Sequence, residues 1–171
     1  LDCGNGVLSN LGKVMDPLDL DAVFITHEHI DHFADVYALQ AALRYAPDGP
    51  RPPLPLYVPP GLFERMGAVL SERGRGELAE AFSVHELEAG EAVRVGELVV
   101  VANEVDHVEP TFAMVVTDDT TTLCYTADTL FGDAAVSAAC SADVLIADAT
   151  LPVAYSGRAA HMTASEAAEL A

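Results

Sequence analysis

Three histidines and an aspartate crowd one short segment near the start of the chain, which reads Thr-His-Glu-His-Ile-Asp-His over residues 26–32. His27 and His29 are two positions apart on an extended turn, so both imidazoles point the same way and can bind one metal ion. Asp31 and His32 stand where the next helix is expected to begin, and they can bind a second ion. The spacing therefore predicts a site for two metals, with a surface histidine cluster as the alternative.

Such a metal pair needs more His, Asp or Glu ligands from strand ends elsewhere in the chain. His107 comes after the apolar run at 98–102, and Asp128 comes after the apolar run at 123–127. A carboxylate at Asp128 could bridge two cations about 3.5 to 4 Å apart. The alternatives are a solvated loop histidine at 107 and a helix cap at 128.

The elements that must position these residues alternate between strand and helix, which predicts an α/β fold with large mixed sheets. Apolar β-forming runs predict strands before the histidine segment and through the middle of the chain, and residues 1–4 resemble the end of a strand. The spacing of apolar residues predicts a helix after the histidine segment. A threonine cap at Thr163 with Glu166 three residues later predicts a helix at the end of the chain. The predicted strands are 18–26, 56–58, 82–87, 92–95, 98–102, 112–116, 121–126 and a buried strand at 143–147; the predicted helices are 31–45, 133–140 and 163–171, with a loop at 73–76.

Composition limits the function classes. The chain has 171 residues, 51% of them hydrophobic, which predicts a single domain over residues 1–171 with a sizeable core. It carries 27 acidic and 8 basic side chains, a formal charge of −19, which argues against a wide nucleic-acid interface. The absence of a signal stretch, of a membrane-spanning run and of paired cysteine motifs predicts a cytoplasmic protein that does not bind membranes.

The motifs together resemble the metallo-β-lactamase fold superfamily and, within it, the ribonuclease Z-like phosphodiesterase branch. The HxHxDH signature is complete. The other matching segments are Leu1-Asp2-Cys3-Gly4, Leu54 to Gly61, His107 with Pro110-Thr111-Phe112, Thr126-Ala127-Asp128-Thr129, Ile146 to Thr150, and His161-Met162-Thr163-Ala164.

This resemblance implies an αββα sandwich with two divalent metal ions, zinc or manganese. By the same resemblance His27, His29 and His107 hold one ion, Asp31 and His32 hold the other, and Asp128 bridges them. The family's seventh ligand, a histidine after a late strand, has no counterpart before Ala171, so we expect a domain truncated at both ends. His161 would protonate the leaving oxygen, Asp148 would fix its tautomer, and Asp31 would orient the attacking water.

The predicted activity is hydrolysis of a small phosphodiester, a cyclic nucleotide or short RNA. Two departures disfavour tRNA maturation: no segment resembles the branch's long basic arm, and Asp148 stands where the branch has glutamate, preceded by Ala147 in place of histidine. The alternatives are a lactone, thioester or β-lactam hydrolase on the same fold, a tRNA 3′-processing endoribonuclease, and a non-catalytic metal-binding domain. Homodimer formation stays open.

Overall fold

The computed structural model describes residues 1–157 and 159–171, which form two compact units, Leu1–Leu87 and Glu88–Ala171. The helices are α1 (Val7–Leu11), α2 (Ile30–Phe33), α3 (Val36–Arg44), α4 (Leu62–Ala68), α5 (Glu72–Ala81), α6 (Asp133–Ala139) and α7 (Ala164–Leu170). The strands are β1 (Val23–Phe24), β2 (Leu54–Val58), β3 (Phe82–Glu86), β4 (Ala92–Val95), β5 (Leu98–Glu104), β6 (Phe112–Thr117), β7 (Thr122–Tyr125) and β8 (Val144–Ile146). Short 3-10 helices lie at Pro17–Asp19 and Val153–Tyr155.

The first unit contains a three-stranded parallel sheet in the order β1-β2-β3. Alternate residues of β2, namely Leu54, Leu56 and Val58, are buried, as expected for a strand with one face on a core. Apolar residues of α3, α4 and α5 belong to the same core. The histidine segment follows directly after β1, so this packed sheet fixes where it starts.

The second unit contains a five-stranded sheet in the order β4-β5-β6-β7-β8, antiparallel except for the last pair. Strands β5, β7 and β8 therefore run in one direction, and their carboxyl ends lie at the same end of the sheet. His107, Asp128 and Asp148 each come shortly after one of these three strands. The topology thus gathers three residues that are far apart in sequence.

Three predicted elements at the start of the chain are wrong. The strand predicted at 18–26 is reduced to the two residues of β1, because residues 17–19 form a 3-10 helix capped by Asp16. Residues 1–4 form no strand. Instead, the Cys3 amide donates to the His32 carbonyl at 2.8 Å, and the Cys3 carbonyl accepts from the Asp35 amide at 2.9 Å. The helix predicted at 31–45 is divided into α2 and α3, because the Asp35 amide donates to the Cys3 carbonyl, outside the helix; the Asp35 side chain accepts from the Leu8 amide. The opening segment therefore braces the helices that follow the histidines.

The loop predicted at 73–76 is also wrong, since these residues lie inside α5. Ser71 caps the helix by accepting from Gly74, and Leu78 is buried against the core, so packing outweighs the low helix propensity of glycine. The strand predicted as buried near the end of the chain exists as β8, but Val144 and Ile146 are 45% and 50% exposed. Its place at the end of the sheet order explains that exposure.

No helix among the described residues is long and apolar enough to cross a membrane.

Candidate metal centre

In the first unit, a hydrogen-bond chain defines the tautomer of His27, which is fully buried. The Thr26 hydroxyl lies 3.0 Å from Oδ2 of Asp2 and 3.0 Å from Nδ1 of His27. An ionised carboxylate can only accept, so the hydroxyl donates to Asp2 and accepts from the Nδ1–H of His27. The lone pair of His27 is then on Nε2, which lies 3.0 Å from Nδ1 of His29.

The same carboxylate orients His32. Its Nδ1 lies 2.7 Å from Oδ2 of Asp2, so Nδ1 donates and Nε2 is the atom able to bind a metal. Asp2 is itself fixed, because its Oδ1 accepts from the Thr26 amide at 2.8 Å and its side chain is only 9% exposed. One buried aspartate therefore sets the tautomers of two candidate ligands.

The donors of this unit fit a divalent metal such as zinc. With zinc–nitrogen distances of about 2.0 to 2.1 Å, two ligands of a tetrahedral ion lie about 3.3 Å apart, close to the His27–His29 separation. The carboxylate of Asp31 is 73% exposed and lies 3.9 Å from Nε2 of His32. Burial, with a smaller contribution from Asp35, raises the pKa of the Cys3 thiol to about 11, so this neighbouring thiol stays protonated at neutral pH.

The backbone of Asp31 leaves no room for a side chain at position 4, where the chain has glycine. A β-carbon built on Gly4 would lie 1.8 Å from the backbone oxygen of Asp31. Any other residue would therefore displace the backbone that carries Asp31 and His32. The sequence motif contains this glycine, but only the structure shows what it touches.

In the second unit, a main-chain carbonyl orients His107. Its Nδ1 lies 2.6 Å from the carbonyl oxygen of Ala160, and a carbonyl only accepts, so Nδ1 carries the proton. Nε2 lies 3.9 Å from Oδ2 of Asp128, and the His107 side chain is only 4% exposed. His107 thus presents Nε2 toward Asp128.

Asp148 holds His161 by a separate contact. Oδ2 of Asp148, whose side chain is fully buried, lies 2.8 Å from Nδ1 of His161. The amides of Thr129 and Thr150 also donate to this carboxylate, at 3.2 and 2.9 Å. His161 therefore donates through Nδ1, and its Nε2 is the nitrogen able to exchange a proton with a substrate. The imidazole is 21% exposed, which permits such access.

Asp128 follows a residue in an unusual backbone conformation. Ala127 has φ +55° and is buried, although it stands where the resembling motif has glycine. Thr126 fixes this turn, since its amide donates to Ile146 at 3.0 Å and its hydroxyl accepts from the Asp148 amide at 2.9 Å. The same threonine thus connects the backbones on which Asp128 and Asp148 lie.

All eight predicted site residues therefore lie in two clusters, one within each unit. The first cluster contains His27, His29, Asp31 and His32. The second cluster contains His107, Asp128, Asp148 and His161. Their metal-binding and catalytic roles stay predictions. Sequence reasoning missed Asp2, Thr26 and the Ala160 carbonyl. The first two belong to or adjoin recognised motifs, whereas no sequence signal marks a carbonyl.

The chain belongs to the β-lactamase superfamily, since the family model described as a beta-lactamase superfamily domain matches residues 1–171. An uncharacterised protein of Mycobacterium tuberculosis is 34% identical over 154 residues, covering 88% of this chain and 56% of that protein. The chain thus spans little more than half the length of this relative.

Two solved structures share the fold. The metallo-β-lactamase fold protein YhfI of Bacillus subtilis is 27% identical with a TM-score of 0.83, covering 99% of this chain and 67% of that one. The short form of human tRNase Z is 25% identical with a TM-score of 0.75, covering 99% and 74%. These likenesses confirm the predicted superfamily, its ribonuclease Z-like relatives and the mixed α/β fold.

Proposed function

We propose that this protein is a dinuclear metal-dependent phosphodiesterase that hydrolyses a small phosphodiester, a cyclic nucleotide or short RNA. The observation that carries the proposal is the His161–Asp148 pair, with 2.8 Å between Nδ1 and Oδ2. Phosphodiester cleavage requires a proton for the departing oxygen, and a histidine held in one tautomer by a buried carboxylate can supply it. The names of two relatives, the probable metallo-hydrolase YhfI and human tRNase Z, agree with this class.

The proposed ligands are the six that the family resemblance implies. His27, His29 and His107 would hold one ion, Asp31 and His32 would hold the other, and Asp128 would serve both. The tautomers described above support this set, because in His27, His32 and His107 it is Nδ1 that donates within the protein. Bound zinc or manganese lowers the pKa of a ligated water toward about 7 and stabilises charge on phosphoryl oxygens.

The chain's own residues supply positioning and proton transfer. Asp31, with its exposed carboxylate, orients the attacking water by accepting a hydrogen bond from it. His161 donates the proton on Nε2 to the leaving oxygen, while Asp148 stabilises the imidazolium through Nδ1. Because Asp148 receives further hydrogen bonds from backbone amides, it cannot swing away during this transfer.

The charge of the chain supports a small substrate. Because the chain has a formal charge of −19, it would repel a folded RNA over a wide interface. A small phosphodiester needs only to reach the metals. Cleavage of tRNA 3′ ends is the second candidate, and the similarity to human tRNase Z favours it.

The test compares wild type with His161→Ala on a panel of substrates: bis(p-nitrophenyl) phosphate, a 3′,5′-cyclic nucleotide, a short RNA, a precursor tRNA, a lactone, a thioester and a β-lactam. We expect phosphodiester turnover and a loss of about 10²- to 10⁴-fold in kcat for the variant. The exposed His85 of β3 provides the matched control, and His85→Ala should retain wild-type rates. Lactone, thioester or β-lactam turnover that survives His161→Ala would replace the proposal with another hydrolase on this fold.

A further inference from the structure

One loop of the second unit holds two groups of the candidate site. The described part of this loop, residues 151–157 and 159–163, begins at Leu151 and returns at Thr163, where these two residues form an isolated parallel bridge. The Leu151 amide also donates to Met162 at 3.0 Å, which closes the base of the loop. Between these points lie the Ala160 carbonyl, which accepts from His107, and the imidazole of His161. The conformation of this loop therefore decides how both histidines are oriented.

A second connection crosses the loop through Glu166 of α7. Oε2 of Glu166 accepts from the amide and hydroxyl of Thr163, at 2.8 and 2.9 Å, which completes a capping box. Oε1 accepts from the hydroxyl of Ser156 at 2.6 Å, ten residues earlier in the chain. We call the three residues Ser156, Thr163 and Glu166 the Glu166 clamp.

We propose that Glu166 is a positioning residue that holds the loop so that the Ala160 carbonyl and His161 stay aimed at their partners. Capping α7 requires only Oε2 and Thr163, so the Ser156 contact adds nothing to the cap. It instead joins the far side of the loop to the helix that follows it. These hydrogen bonds, that of Ser156 first, lower the pKa of Glu166, so the carboxylate stays ionised at neutral pH.

The experiment separates the clamp from simple helix capping. Ser156→Ala removes the loop contact and leaves the capping box, whereas Glu166→Gln weakens both. Glu169→Gln is the control, because Glu169 is an exposed acid on the same helix. Hydrogen exchange at the amides of residues 159–162, NMR of the histidine Nδ1–H protons, and kcat and KM on bis(p-nitrophenyl) phosphate are measured for all three variants.

We expect Ser156→Ala to speed exchange at these amides by about tenfold, the effect of losing one hydrogen bond to a charged group. The Nδ1–H signal of His107 should weaken, and kcat should fall several-fold while KM stays within about twofold. Glu169→Gln should match wild type in every readout. Unchanged exchange and unchanged histidine signals in both Ser156→Ala and Glu166→Gln would overturn the clamp.

The kinetic part of this inference rests on the proposed function. If wild type, loaded with zinc or manganese, hydrolyses no phosphodiester, the proposed function fails. The exchange and NMR data then still decide whether Glu166 positions the loop.

Discussion

The two clusters, one in each unit, orient their histidines by different means. In the first unit a side chain acts: Asp2 contacts His32 directly and His27 through Thr26. In the second unit a backbone carbonyl orients His107, and Asp148 orients only His161. A single side-chain substitution can therefore disturb two ligands in the first unit. In the second unit His107 depends on the conformation of a loop instead.

The largest expected effect follows from this contrast. Asp2→Asn should lower zinc affinity by about 10- to 100-fold, because an amide cannot accept from both His32 and Thr26 as the carboxylate does. Asp148→Asn should leave zinc affinity near wild type and lower kcat, because Asp148 hydrogen-bonds the imidazole of His161, which is not a proposed metal ligand. Titration against a chelating dye measures the affinity of each variant.

Asp21→Asn controls for the loss of one negative charge, since Asp21 is exposed in the same unit. Equal losses of zinc affinity in the Asp2 and Asp148 variants would contradict the difference between the two clusters.

The next effect concerns the backbone beside Asp2. Gly4→Ala should destabilise the protein by about 1 to 3 kcal/mol, because the added methyl group would overlap the Asp31 backbone oxygen. Gly76→Ala is the matched control: Gly76 lies within α5 with open space around it, and alanine there should stabilise by about 0.5 to 1 kcal/mol. Urea unfolding measures both. Similar stability changes in the two variants would show that Gly4 has room after all.

The smallest expected effect concerns the turn at Ala127 in the second unit. Asp2 and Ala127 are the two non-glycine residues with positive φ in the described chain, at +53° and +55°. Aspartate tolerates that region better than alanine does. Ala127→Gly should change the free energy of unfolding by less than about 1 kcal/mol, because relief of strain offsets the greater chain entropy of glycine and the lost buried methyl.

Ala127→Val should destabilise by more, since a branched side chain is poorly accommodated at positive φ. Thermal unfolding at fixed pH compares the three proteins. A valine variant as stable as wild type would show that this turn carries no constraint.

Sequence reasoning succeeded where a pattern is local. The strand at 56–58, the threonine cap of α7 and the dense histidine segment each depend on neighbouring residues, and the structure contains all three. Six of the eight site residues follow from residue types placed after apolar strands: His27, His29, Asp31, His32, His107 and Asp128. Asp148 and His161 follow only from the family resemblance.

Sequence reasoning failed where residues far apart in the chain determine the structure. The two glycines within 73–76 predict a loop, yet packing of Leu78 in the core stabilises a helix there. The burial of β8 depends on its place in the sheet order, which periodicity does not report. The contact of Asp2 with His32 spans 30 positions, and the Ala160 carbonyl contacts His107 across 53. Such pairs follow from the topology of the sheets.

The central proposal is that this chain binds a pair of divalent ions. Elemental analysis of the purified protein, after mild handling without chelators, tests it most directly. The account predicts about two zinc or manganese ions per chain, with fewer in Asp2→Asn and an unchanged number in Asp148→Asn. One ion or none in the wild-type protein would contradict a dinuclear centre in this chain.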